Sequence, residues 1–400
     1  MTGDPPVSIA ELDQVGALRR LDDAQVAALT ATGLVELRPE GGGRWRVMPA
    51  GRVGAVRIGG LDVEVRPKVG IARLLFLLGY AADPGFRPED VAARPEPELW
   101  AALAEGLIRQ AERALGPGVL QGYVVVDEAL PLVRGRIRFA DQFARRAVLP
   151  LPVELQFDEY ATDIAENRIL RTALRRMLAV PRLPAGTRAR LSHLDGRLDG
   201  VSVLPHGAIR PAYRPSRLNA RYLPALRLAE LVLRNQSTEP GPGEVTTASF
   251  VVNMAKAFED FVTTALREAL ATFPGRTDGQ YEAHLDTGRA VRIRPDVVHV
   301  VGGRPAAVFD AKYKLEHLSS GYPGTDVYQM LAYCTALRLN EGWLVYAQGT
   351  TPAVPRRIRN TEIDVMHYPL DLSLPPSDLL LQVDALAHRA MRGGGPASVR

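Results

Sequence analysis

The chain of 400 residues has a single cysteine, Cys334. An internal disulfide framework is therefore excluded, a reducing cytoplasm is the expected setting, and no Cys/His cluster has zinc spacing. The apolar run 71–82 is too short to span a bilayer and too far from the N-terminus to be a signal peptide, so no membrane association is expected. No G-x-x-x-x-G-K-[S/T] loop is present to hold a nucleotide. Lysine is scarce: of 49 Lys plus Arg, only Lys68, Lys256, Lys312 and Lys314 are lysine. A chain that writes arginine almost everywhere has kept lysine where a compact, tunable ammonium is useful, and three of the four fall within residues 256–314.

Hydrophobic content of 46% describes a soluble globular protein of two or three domains, each able to bury a core. The net charge of +4 permits nucleic-acid binding without requiring it.

The most informative stretch runs from Arg294 to Lys314. Two β-branched runs, 297–301 and 306–309, flank Gly302-Gly303-Arg304-Pro305, which predicts a hairpin. With a three-residue loop at 302–304, Asp296 falls opposite Asp310, and alternation puts Asp310 and Lys312 on one face. Two carboxylates and an ammonium at one end of an otherwise apolar hairpin suit phosphodiester hydrolysis. Such carboxylates hold Mg²⁺, with Mn²⁺ as an alternative, while a lysine steadies the attacking water and the developing charge. The competing reading is an exposed hairpin with an ordinary ion pair.

The remaining chain divides by pattern. Residues 1–70 form a small β-rich unit: a helix capped by Asp22 or Asp23 and running through Thr30, then strands at 34–38, 44–48, 54–58 and 61–65. A helix with a β-wing would bind DNA through Arg44, Arg46, Arg52 and Arg57; a β-meander used for protein contacts fits equally. Residues 71–150 read as a mixed α/β region with helices at 71–82 and 97–115 and strands at 119–127 and 130–139. The second strand holds Arg134-Gly135-Arg136, where a glycine between two arginines can meet a phosphate or a partner's carboxylate, or simply mark an exposed basic edge. Residues 151–240 form a helical middle region with helices over 162–178 and 219–234. Its acidic cluster, Asp158, Glu159, Asp163 and Glu166, reads as first-turn acids favoured by the helix dipole rather than as a metal site. A Pro/Gly-rich linker is expected at 236–243.

Residues 241–375 then follow the order α-β-β-β-α-β, with helices at 255–272 and 326–339 and strands at 280–285, 291–301, 306–312, 342–346 and 362–368. Gln329 and Tyr333 stand four apart and share one helix face. A C-terminal helix and flexible tail occupy 376–400.

Helix residue Glu259, Pro295-Asp296, Asp310-Ala311-Lys312 and Gln329-x-x-x-Tyr333 occur in the order expected of the PD-(D/E)xK nuclease superfamily, which this part of the chain resembles. Within it the chain is similar to the McrC family, the nuclease subunits of McrBC-type modification-dependent restriction systems. That similarity rests also on Val133-Arg134-Gly135-Arg136-Ile137, on Glu166-Asn167-Arg168-Ile169-Leu170 within 157–174, on Tyr313 after the Asp-Ala-Lys motif, and on 327–333. It covers roughly residues 70 to 370.

The resemblance implies a mixed α/β protein with a C-terminal restriction-endonuclease-like core. Asp296 and Asp310 would ligate Mg²⁺ and Lys312 would assist the water. Glu259, or Asp260 beside it, would add a carboxylate, and Gln329 and Tyr333 would support the site or its DNA. It further implies a McrB-like AAA+ GTPase hexamer as partner, whose GTP hydrolysis this chain would stimulate. Recognition of modified DNA would lie with that partner, and the N-terminal and middle regions, including a partner-binding region at 71–150 with Arg134–Arg136, would enter its ring. Dimerisation through the nuclease domain is a further expectation. A free-standing nuclease of the same superfamily, or a non-catalytic adaptor that activates a GTPase, are the alternatives.

Overall fold

Our computed structural model describes residues 6–58, 60–87, 98–146, 151–240, 246–313, 324–347 and 354–393. Lys314, the end of the expected linker and the C-terminal tail beyond 393 lie outside the described residues.

The chain is a mixed α/β protein. Its N-terminal helix Asp23–Thr32 starts at a capping box, in which the Asp22 carboxylate accepts from the Gln25 N–H, and it ends at Gly33 in the left-handed region. The strands Ala17–Arg20, Arg44–Pro49 and Val35–Gly41 form a small sheet beside it. Of the arginines considered for DNA on this unit, Arg57 is corrected: it is buried, pairs with Asp62 and Glu98, and donates to the Pro181 carbonyl. Its charge is committed to holding the fold. Arg46 is paired with Glu40.

A second sheet joins both sides of the expected linker. Its order is Val7–Ala10, Leu61–Arg66, Arg52–Ile58, Thr246–Asn253, Gln236–Pro240. The linker reading is thus corrected for its described part, since Gln236–Pro240 pairs antiparallel with Thr246–Asn253. Gly54 makes this sheet feasible: a Cβ there would lie 1.9 Å from the Phe250 carbonyl oxygen.

Two further readings are corrected in the middle of the chain. The strand expected over 130–139 is only Arg136–Ile137, and Phe139–Arg146 is a helix. Phe139 and Phe143 recur at i and i+4, a helical period that outweighs the β-branched run before it. Ahead of the helix Ala165–Leu178, residues Val153–Ala161 form a nine-residue strand paired with Gly122–Leu130. Asp158 and Glu159 therefore sit on a strand. Asp163 instead takes a bidentate contact from Arg168, and Glu166 accepts from Asn219, so these two carboxylates are structural.

The C-terminal sheet carries the candidate site. Its order is Arg276–Gly279, Val297–Val301, Arg304–Lys312, Glu341–Tyr346, Asp364–Pro369, Val354–Arg357. The first three pair antiparallel and the next two connections are parallel. Helix Met254–Leu270, capped by the Asn253 side chain, covers one face with the C-terminal helix Pro376–Gly393, and Gly324–Leu337 covers the other. Alternation sorts the strands accordingly. Val297, Ala307, Phe309 and Trp343 join the core that contains Phe258 and Phe261, whereas Val298, Val308 and Leu344 pack with Met330, Tyr333 and Cys334. Both faces are buried, as its near-continuous apolar runs require. No helix among the described residues is long and apolar enough to cross a membrane.

Candidate active site

The hairpin turn is tighter than its sequence suggests. Val301 pairs with Arg304, leaving Gly302 and Gly303 as a two-residue turn with φ of 58° and 80°, a conformation that favours glycine at both positions. An irregularity at His299/Val300 then adds one residue to the second strand, so Val297 lies opposite Phe309. The bulge restores the offset that a three-residue loop would have produced. Asp296 therefore stands across from Asp310, as the pattern required, by a different local route.

Each carboxylate has a defined support. Asp296 Oδ2 accepts from the Ala311 N–H (2.8 Å) and its Oδ1 from Gln280 Nε2 (3.1 Å). The same Gln280 amide donates to Glu259 Oε1 (2.5 Å) and so bridges helix and strand. Gln280 holds φ at 52° and donates its own N–H to the Asp296 carbonyl (2.7 Å), a strained position at the strand end. Glu259, not Asp260, faces Asp296; Asp260 is the more exposed of the two and pairs with Lys256, which also contacts Glu259 (3.1 Å). Asp310 is 2% exposed, and its Oδ2 has only the Lys312 ammonium against it, an ion pair without a well-formed hydrogen bond. Lys312 Nζ donates to Gln329 Oε1 (2.9 Å), whose Nε2 donates to the Tyr333 hydroxyl (2.6 Å). The structure thus gathers Asp296, Asp310, Lys312, Glu259, Gln329 and Tyr333 into one connected group.

Burial and mutual repulsion raise the carboxyls of this group. Burial, and then the charge of Asp310, push the Asp296 carboxyl up to about 6. Glu259 is raised by burial and then by Asp296. Asp310 is raised by burial in spite of Lys312, with Asp326 and Glu259 adding to the rise. One ammonium cannot neutralise so many buried anions. Among the described residues, no group of three or more His, Cys, Asp or Glu side chains is placed so that it could hold a metal ion. As placed, the Gln280 amide and the Lys312 ammonium take up the carboxylate oxygens.

Two contributors were not legible beforehand. Gln280 bridges two of the acids. Asp326 is buried in Gly324–Leu337, accepts from the Tyr346 hydroxyl (3.1 Å) and acts on Asp310 through space. Neither belongs to a spaced motif.

The Arg134–Arg136 segment does not join this group. It sits on the three-stranded sheet formed by Gly122–Leu130, Val153–Ala161 and Arg136–Ile137. Arg134 lies 3.6 Å above the Phe157 ring, and Gly135 takes φ 73° where a Cβ would meet the Gln156 carbonyl at 2.4 Å. Close backbone approach is what this glycine is for. Around it the surface is apolar: Tyr123, Val125, Leu132, Phe139, Phe143 and Tyr160 are all exposed, with Tyr123 and Tyr160 paired across strands at 5.2 Å.

No curated protein matches the chain. Among solved structures, a half-complex from a tetradecameric assembly of Thermococcus gammatolerans McrB AAA+ hexamers with bound McrC contains a similar chain, at 18% identity and a TM-score of 0.58, covering 89% of this chain and 86% of that one. A cryo-EM structure of the Thermococcus gammatolerans McrBC complex also matches, at 17% identity and a TM-score of 0.43, over 68% of this chain and 90% of its counterpart. The first shows a shared fold. Residues 47–347 match the family model described as McrBC 5-methylcytosine restriction system component. On that match the chain belongs to the McrBC family.

Proposed function

We propose that this chain is the McrC-type nuclease subunit of a McrBC-like restriction complex, a metal-dependent DNA endonuclease with a PD-(D/E)xK core. The observation that carries the reading is the convergence of Asp296, Asp310 and Lys312 at the end of one hairpin, with Glu259 joined to Asp296 through Gln280. Family membership and the shared fold support it.

The residues suit a divalent cation. Asp310 Oδ2 is buried without a hydrogen bond, and three neighbouring acids are raised by burial and by one another. Mg²⁺, or Mn²⁺, held by Asp296, Asp310 and Glu259 would polarise the scissile phosphate and acidify a bound water. Lys312 stands between Asp310 and Gln329, where its ammonium can orient the attacking water and offset the charge that grows on the phosphate. Tyr333 fixes Gln329, and Gln329 fixes Lys312. The Ala311 N–H holds Asp296 in place without neutralising it.

The partner would be a McrB-like AAA+ GTPase hexamer, by analogy with the assembly in which the similar chain is found. The exposed apolar surface around Tyr123, Phe143 and Arg134–Arg136 supports such a contact, since monomers seldom expose this many large apolar side chains together. The chain would act in the cytoplasm, dimerising through the nuclease domain to cut both strands. The test is cleavage of modified plasmid with Mg²⁺, GTP and the partner present or absent. The reading predicts strong cutting only with the partner; equal cutting without it would favour a free-standing nuclease.

A further inference from the structure

From Gly200 to Ala229 the chain has no acidic residue but carries Arg210, Arg214, Arg217, Arg221 and Arg227. The first part of this stretch lies between the helices Ala185–Arg197 and Leu223–Asn235 and has almost no regular structure. It is nonetheless built. Asn219 is buried, accepts from the Ser216 N–H and hydroxyl, and donates to the Arg214 carbonyl and to Glu166. Pro205, Pro211 and Pro215 stiffen the path by fixing φ. Tyr213 packs against the core.

The arginines divide sharply into two sets. Elsewhere in this region arginines are bonded within the protein: Arg168 to Asp163, Arg171 and Arg175 to Asp195, Arg190 to Glu105 and Glu112, and Arg188 and Arg197 to backbone carbonyls. Arg227 pairs with Asp83, and Arg221 donates to the Gly118 carbonyl. Along the strap the matching stops. Arg210 is half-buried, Arg214 and Arg217 are exposed, and none of the three side chains has a hydrogen bond or ion pair among the described residues. Arg210 opens into a cavity of about 450 Å³ whose walls include Thr172, Arg176, His206 and Arg234 but no carboxylate. On the cavity wall, Arg176 Nη1 lies 2.6 Å from His206 Nε2. A guanidinium that opens into such a cavity with no protein counter-charge is available to an anion. Forked guanidinium groups at intervals along a stiff segment match a row of phosphates.

We propose that the strap 204–217, with the cavity at Arg176 and Arg210, is a phosphate-binding track for the backbone of DNA, separate from the cleavage site. This rests on the reading of DNA as substrate. The track reads no base; it adds affinity and holds the duplex in register while the nuclease acts.

The test compares wild type with the triple variant Arg210→Gln, Arg214→Gln, Arg217→Gln for binding of a short labelled duplex, with chelator present so that cutting does not intervene. Each lost phosphate contact lowers the slope of log affinity against log salt by about 0.9, so the triple variant should lose about 2–3 in slope and bind about tenfold or more weakly at low salt. Arg190→Gln, which removes a paired arginine, should leave the slope unchanged. A double variant of the exposed Arg214 and Arg217 alone should show a smaller loss in the same direction. A wild-type slope and affinity in the triple variant would overturn the proposal. So would a wild-type slope accompanied by thermal stabilisation of wild type alone by inorganic phosphate, since the cavity would then serve a small phosphorylated ligand. Should wild type cleave DNA while the triple variant binds normally, only the track fails. Should the triple variant lose binding while wild type never cleaves with its partner, the track stands and the nuclease reading fails.

Discussion

Replacing Asp296 by Asn should stabilise the metal-free protein at neutral pH. Its carboxyl is pushed from 3.8 up to about 6 by burial and by Asp310. A raised carboxyl contributes stability that is fully present below its unfolded value and is lost as pH rises through the folded one, here between about 4 and 6. At about 1.4 kcal/mol per pH unit, the ionised form costs the fold about 3 kcal/mol. The amide keeps one acceptor and loses the other, of Ala311 or Gln280, at about 1 kcal/mol. A net gain of about 1–2 kcal/mol remains, equivalent to a few degrees in melting temperature. Thermal melts without metal, at neutral pH and near pH 4, provide the assay. The gain should appear at neutral pH and vanish in acid. A variant that melts lower than wild type at neutral pH would refute the argument, and would make Asp296 an ordinary structural acid.

Other expectations follow from the same geometry. Mg²⁺ should raise the melting temperature of wild type but not of Asp310→Asn, measured by differential scanning fluorimetry. Gly54→Ala should destabilise by several kcal/mol, about 3 or more, because its Cβ would overlap the Phe250 carbonyl; denaturant titration reads this directly. Arg171 is buried, pairs with Asp195 and Asp199 and donates to the Val201 carbonyl, so Arg171→Ala should cost about 3–5 kcal/mol by the same titration. Phe143→Ser with Tyr123→Ser should weaken stimulation of a partner GTPase while leaving the melting temperature within about a degree, since both rings are exposed.

The hairpin of the candidate site was legible because its information is local. Alternation sets which residues share a face, and Gly302-Gly303 can only turn, so Asp296 and Asp310 met even though the loop was one residue shorter than expected. Helix Met254–Leu270 was legible from its apolar stripe, but the choice between Glu259 and Asp260 was not. One residue rotates a helix by about 100°, and only the packed sheet decides which acid faces inward. Gln280 and Asp326 could not be found from spacing, since each acts across chain segments that only tertiary packing brings together. Acidic residues at 158 and 159 suggested a helix start, whereas pairing with Gly122–Leu130 made that segment a strand. The proline and glycine content after 236 suggested a linker; there an adjacent strand edge supplied the hydrogen bonds that composition cannot show.

The measurement that bears most directly on the whole account is DNA cleavage by the reconstituted complex, with Mg²⁺ and GTP, comparing wild type, Asp310→Asn and Lys312→Gln. The account predicts that both variants lose cutting while they still stimulate the partner's GTPase, because the hairpin and the exposed apolar surface are different parts of the chain. Wild-type cleavage by Asp310→Asn would contradict it and leave the adaptor reading in its place.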